Sequence, residues 1–145
     1  MLLLTGIIAG TFAGIIMGAV SDLGYRTGIF RSSLVLIDGL FFLHVIKAKA
    51  GIKRMYIFGA PIHLFTSALF GGVYILIVNL LQLNLTSLLV LFLYVFFLWL
   101  SMLFVALPIA GLGFLGKRIG SLTWLEQLVF HLFFGIGFLG ALKIL

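Results

Sequence analysis

A chain of 145 residues is the length of one domain. Its composition is 64% hydrophobic and 8% charged, with a mean hydropathy of +1.40. A soluble domain carries about 25% charged residues, so these proportions exclude a soluble fold. With no cysteine, disulfides, iron–sulfur clusters and zinc–thiolate sites are excluded too. The net charge of +6 belongs to connections between apolar runs. It suits anionic lipid headgroups rather than nucleic acid, because no extramembrane domain remains to bind a duplex.

Crossing a hydrocarbon core of about 30 Å takes about 20 apolar residues. The first such run, Leu2–Val20, has no basic residue before it, unlike a secretory signal peptide, and reads as a retained span. The stretch from Leu34 to Ala50 has a shorter apolar run that contains Asp38 and His44, with Arg31, Lys47 and Lys49 as flanks. It reads as a helix on the membrane surface with Ser32 or Ser33 as N-cap, a short fifth span being the rival reading. A second span is expected over Tyr56–Leu83, with Pro61 near its start. Leu88–Leu107 is the third and Leu125–Leu145 the fourth, opened by a Thr123–Glu126 capping box. The expected fold is therefore all-α: one transmembrane domain over residues 1–145, with spans 2–20, 56–83, 88–107 and 125–145 and an interfacial helix at 34–50.

Eight of the nine basic residues, among them Arg26, Lys53, Arg54, Lys117 and Arg118, fall in the first and third connections. Positive connections stay in the cytoplasm, which directs both termini outward and offers these side chains to anionic lipid headgroups. The second connection, Asn84-Leu85-Thr86-Ser87, carries no charge; its glycosylation pattern reads as a plain turn beside the membrane. Two similarities suggest an internal repeat of two parallel hairpins. Leu23-Gly24-Tyr25-Arg26-Thr27-Gly28 matches Leu115-Gly116-Lys117-Arg118-Ile119-Gly120. His63-Leu64-Phe65 with Phe70 and Gly72 matches His131-Leu132-Phe133 with Phe138 and Gly140.

Gly6, Gly10, Gly14 and Gly18 recur at every fourth position and, with Ala9 and Ala13, form a smooth ridge. Such ridges bring helix backbones together in lipid. Dimerisation and packing onto the chain's own helices both use it; with four spans in one chain, internal packing is the stronger expectation. The third span is apolar all round and is expected to face lipid or a partner subunit.

A titratable group inside a span is expensive and often functional. His63 and His131 occupy matching places in the repeat, Thr66, Ser67, Phe70 and Tyr74 share the face of the first, and Gln127, Phe134, Gly135 and Phe138 share that of the second. Two imidazoles so placed are a pair that holds a b-type haem between helices. The competing reading is that each hydrogen-bonds a neighbouring hydroxyl or carbonyl. His44 is expected in the headgroups. The acids Asp22, Asp38 and Glu126 all fall near the cytoplasmic boundary, and Asp22 is placed to pair with Arg26. No carboxylate is expected at mid-membrane, where a coupled transporter keeps its relay. The run Gly111-Leu112-Gly113-Phe114-Leu115-Gly116 fits the dinucleotide fingerprint only by letter, since a membrane span rather than a strand precedes it. Its amides, with Lys117 and Arg118, are better suited to a lipid phosphate, and better still to a flexible connection. No nucleophile elbow or acid–base pair is visible, so no catalytic site of the chain's own is expected.

The glycine-rich first span, the His63…Ser67…Phe70-Gly71…Tyr74 run, the Pro108…Gly111…Gly113 turn and the His131…Gly135…Gly140 close resemble small four-helix bacterial membrane proteins of the YagU-like kind. The resemblance implies a bacterial or archaeal inner membrane and no particular reaction. The leading functional expectation is a membrane-embedded subunit or anchor of a larger, redox-linked complex, with other membrane subunits or a second copy as partners. A passive transporter or channel for a small solute or lipid is the alternative.

Overall fold

The computed structural model describes residues 2–145, which hold five helices and no strand. They are α1 (Leu2–Arg26), α2 (Leu34–Val45), α3 (Ile52–Leu80), α4 (Leu88–Ile109) and α5 (Thr123–Ile144). All but α2 are long and apolar enough to cross a membrane. At about 1.5 Å per residue, α2 is only about 18 Å long and cannot.

The helix limits move from the expected ones for local reasons. α1 runs six residues past Val20 because Asp22 and Arg26 pair one turn apart, Nε to Oδ2 2.6 Å. α2 stops at Val45, where Lys47 turns at φ 55° and the Ala48 amide bonds the Leu43 carbonyl. α3 begins at Ile52 rather than Tyr56, so Pro61 falls inside the helix. Asn84 accepts the Thr86 amide at 2.9 Å, closing the uncharged connection as a turn.

The glycine face of α1 lies on α3 within the same chain. A Cβ on Gly6 would meet Ile75 and the Gly71 carbonyl, and one on Gly10 would lie 2.9 Å from the Gly71 Cα. The next glycines down the ridge, Gly14 and Gly18, meet Ser67 and the His63 ring. Backbones this close exclude any side chain, which is how small residues pack helices without a hydrophobic drive. α5 covers the other side of α1, with Gly137 against Ala13. Its Phe130, Phe134 and Phe138 are buried, and the Tyr74 ring sits edge-on to Phe138 at 5.2 Å.

α4 is the peripheral helix. Phe92, Leu93 and Phe97 are exposed, while polar tips tie it inward. Tyr94 donates to the Phe70 carbonyl at 2.6 Å, and Trp99 Nε1 to the Trp124 carbonyl at 3.0 Å. Over Met102–Ala106 the helix widens into a π-helical turn, just before Pro108.

α2 lies across one end of this bundle. Its first amide, on Leu34, bonds Ser21 of α1. Gly39 and Gly59 let it cross α3, each without room for a Cβ against the other helix's backbone. Its far end brings the His44 ring against Gly111, in the turn after α4. The first and third connections, with their basic residues, therefore share an end. The two stretches matched by the repeat differ in backbone: Gly24 is helical, whereas Gly116 sits at φ 68° beside Thr123. The hairpins are not copies of one another at that point.

Candidate functional site

A cavity of about 290 Å³ lies beneath α2, and all five helices line it. α2 contributes Leu34, Asp38 and Phe41 from a single face, and α1 contributes Met17. The long walls are Ile62–Phe70 of α3 and Leu98–Ala106 of α4, where the π-helical turn supplies Met102, Val105 and Ala106. Such turns are frequent at functional sites because they re-aim side chains out of helical register. α5 closes the back with His131 and Phe134. Ser101 and Val105 are exposed, and Ile62, Thr66 and Leu98 are half-buried, so the cavity opens sideways between α3 and α4. In a bilayer, that opening faces lipid rather than water.

Both histidines line this cavity, and they are held differently. His63 Nδ1 is 2.8 Å from Asp38 Oδ2, and its Nε2 is 3.0 Å from the Gly14 carbonyl. A carbonyl only accepts, so Nε2 carries a hydrogen, and one further proton lies between Nδ1 and Oδ2. The ring fits because Gly18 has no side chain: a Cβ there would lie 3.1 Å from Nε2. His131 Nδ1 donates to the Gln127 carbonyl at 2.7 Å, which leaves Nε2 as a lone-pair acceptor. Two hydroxyls on the walls also point back at their own helices. Thr66 donates to the Ile62 carbonyl at 2.9 Å, and Ser101 to that of Leu98 at 2.7 Å.

This geometry lends the haem expectation no support. His63 has both ring nitrogens engaged, so it presents no lone pair to iron, and joint ligation by His63 and His131 would break the Asp38 or Gly14 contact. Asp38 also differs from expectation: from the surface helix it reaches the inner face of the bundle and pairs with a spanning helix. His44 is exposed.

A second polar cluster anchors the start of α2. Glu126 does not close a capping box. It accepts the Arg31 amide at 2.9 Å and the Ser32 hydroxyl at 2.6 Å, and no side chain caps α5. Ser33 takes the N-cap position of α2 without capping it, donating instead to Asp22 at 3.0 Å; Tyr56 reaches the same carboxylate. Gln127 donates to Ser32, while its own Oε1 and the Thr123 hydroxyl are buried with no protein partner.

Among the residues assigned to headgroups, Lys53, Arg54 and Lys117 are exposed. Arg26 is engaged with Asp22, and Arg118 donates to the Gly111 carbonyl at 2.7 Å. The amides of Gly111, Leu112 and residues 116–120 bond carbonyls of α4 and of the turn that follows it.

Fold and site fit a helical multi-pass membrane protein with a side-opening, mostly apolar cavity that carries a few polar groups. Comparisons with family models, curated proteins and solved structures give no match.

Proposed function

We propose that this chain is an integral protein of a bacterial or archaeal inner membrane that takes up a small amphipathic molecule from the bilayer, as a carrier or passive transporter. The observation that carries this reading is the side opening between α3 and α4, which joins exposed apolar positions to a mostly apolar interior holding a few polar groups. Ligand sites are concave, mostly apolar and fitted with a few polar groups, and this cavity has that make-up. The α2 end faces the cytoplasm in this reading, because eight of nine basic residues gather in the two connections there. The YagU-like resemblance agrees with that membrane. The role of subunit or anchor draws instead on the exposed Phe92, Phe97 and Phe104 of α4, a face that lipid alone satisfies equally well.

Photolabelling tests the reading. In nanodiscs, a dodecyl diazirine should label residues 62–70 and 98–106 saturably. Ala106→Trp, which fills the cavity wall, should abolish that labelling and spare the outer face of α4. Labelling that never saturates and is spread over all exposed apolar faces would contradict uptake.

A further inference from the structure

The hydrogen-bonding groups around the cavity are unequal in kind, and this inequality defines the ligand class; the argument rests on the lateral-uptake reading above. Thr66 and Ser101 direct their hydrogens to carbonyls of their own helices, so each turns lone pairs outward. His131 donates through Nδ1 and keeps a bare Nε2. Asp38 Oδ2 faces His63, and Oδ1 is a further acceptor. The hydrogens of His63 are engaged by Asp38 and Gly14. Ser67 adds one hydroxyl that serves either way. No lysine or arginine is among the lining residues.

A carboxylate or phosphate needs several donors or a cation, and this wall supplies neither. An ammonium needs a free counter-charge, but the carboxylate of Asp38 is already matched by His63. We infer that the cavity selects a neutral, hydroxyl-bearing head on an apolar tail: a long-chain alcohol or a lipid-soluble phenol, which donates its O–H to this set of acceptors. The apolar stem then leaves between Ile62 and Val105 into the bilayer.

The test is competition in nanodiscs against the dodecyl diazirine, with concentrations counted as mole fraction in the bilayer. The competitors are 1-dodecanol, dodecyl methyl ether, dodecanoate and dodecylamine. One well-placed hydrogen bond predicts that dodecanol displaces the probe at roughly tenfold lower concentration than the ether. The acid and the amine should do no better than the ether. His131→Phe should reduce the alcohol's advantage over the ether. Ser101→Ala, at an exposed position that does not threaten folding, should reduce the advantage in the same way. Equal displacement by alcohol and ether would overturn the head selection while leaving lateral uptake intact. So would preference for the amine or the acid. Absence of any saturable labelling would remove both readings.

Discussion

His63 shows how one residue's placement depends on what its neighbours lack. Its ring reaches the Gly14 carbonyl only because Gly18 leaves space, and its other nitrogen draws Asp38 inward from α2. Asp38→Leu strands that nitrogen in a buried site, at a cost of about 1–3 kcal/mol. The expected result is a lower midpoint of thermal unfolding in nanodiscs, whereas an unchanged midpoint would mean that the pair does not form. Gly10→Leu forces apart backbones already in contact and should cost about 1–3 kcal/mol or more, while Leu93→Phe on the exposed face of α4 should leave the midpoint alone. His131 carries a prediction about its tautomer. Because Nδ1 faces a carbonyl, ¹⁵N NMR of labelled histidine should report protonated Nδ1 and bare Nε2. A protonated Nε2 with bare Nδ1 would remove an acceptor from the cavity.

At the scale of elements, α2 is the piece that makes a site of the bundle. It is fastened at Ser21, crosses α3 through Gly39 and Gly59, and ends against Gly111, so its inner face forms the roof of the cavity. Gly59→Leu collides with the Val35 carbonyl and should lift α2 off α3. Hydrogen exchange over residues 35–45 should then accelerate by about tenfold or more, with α1 and α5 unaffected. Uniform acceleration would mean that α2 is no separate unit. The long helices were legible from hydropathy because a span's apolar length is a local property of the chain. The glycine ridge was legible too, since a period of four is written in adjacent turns. Its partner Gly71 was not, because nothing local marks which helix a smooth face will meet. The same limit hid Asp38 from His63, 25 residues away, and Glu126 from Ser32, 94 residues away. Thr123 and Glu126 had the spacing of a capping box, but the Arg31 amide and the Ser32 hydroxyl competed for the carboxylate and won. The π-helical turn beside Pro108 had no sequence signal beyond the proline itself.

In the whole molecule, four long helices leave α2, eight of the nine basic residues and the cavity toward one end, and Leu2 and Leu145 toward the other. Reporter fusions at Asn84 and Leu145 should both read as external, and a cytoplasmic reading at either would invert or break this topology. In the reading proposed above, the roof lies near the headgroups and the opening among the lipid tails, which suits an amphipathic molecule taken from the bilayer. The most direct measurement is a crystal structure grown from a lipidic mesophase doped with 1-dodecanol. The account predicts a single continuous chain of density between Ile62 and Thr66 on one side and Leu98 and Val105 on the other, its head toward His131. A seam in which α4 has closed onto α3 and Met102 and Phe70 fill the cavity would contradict it.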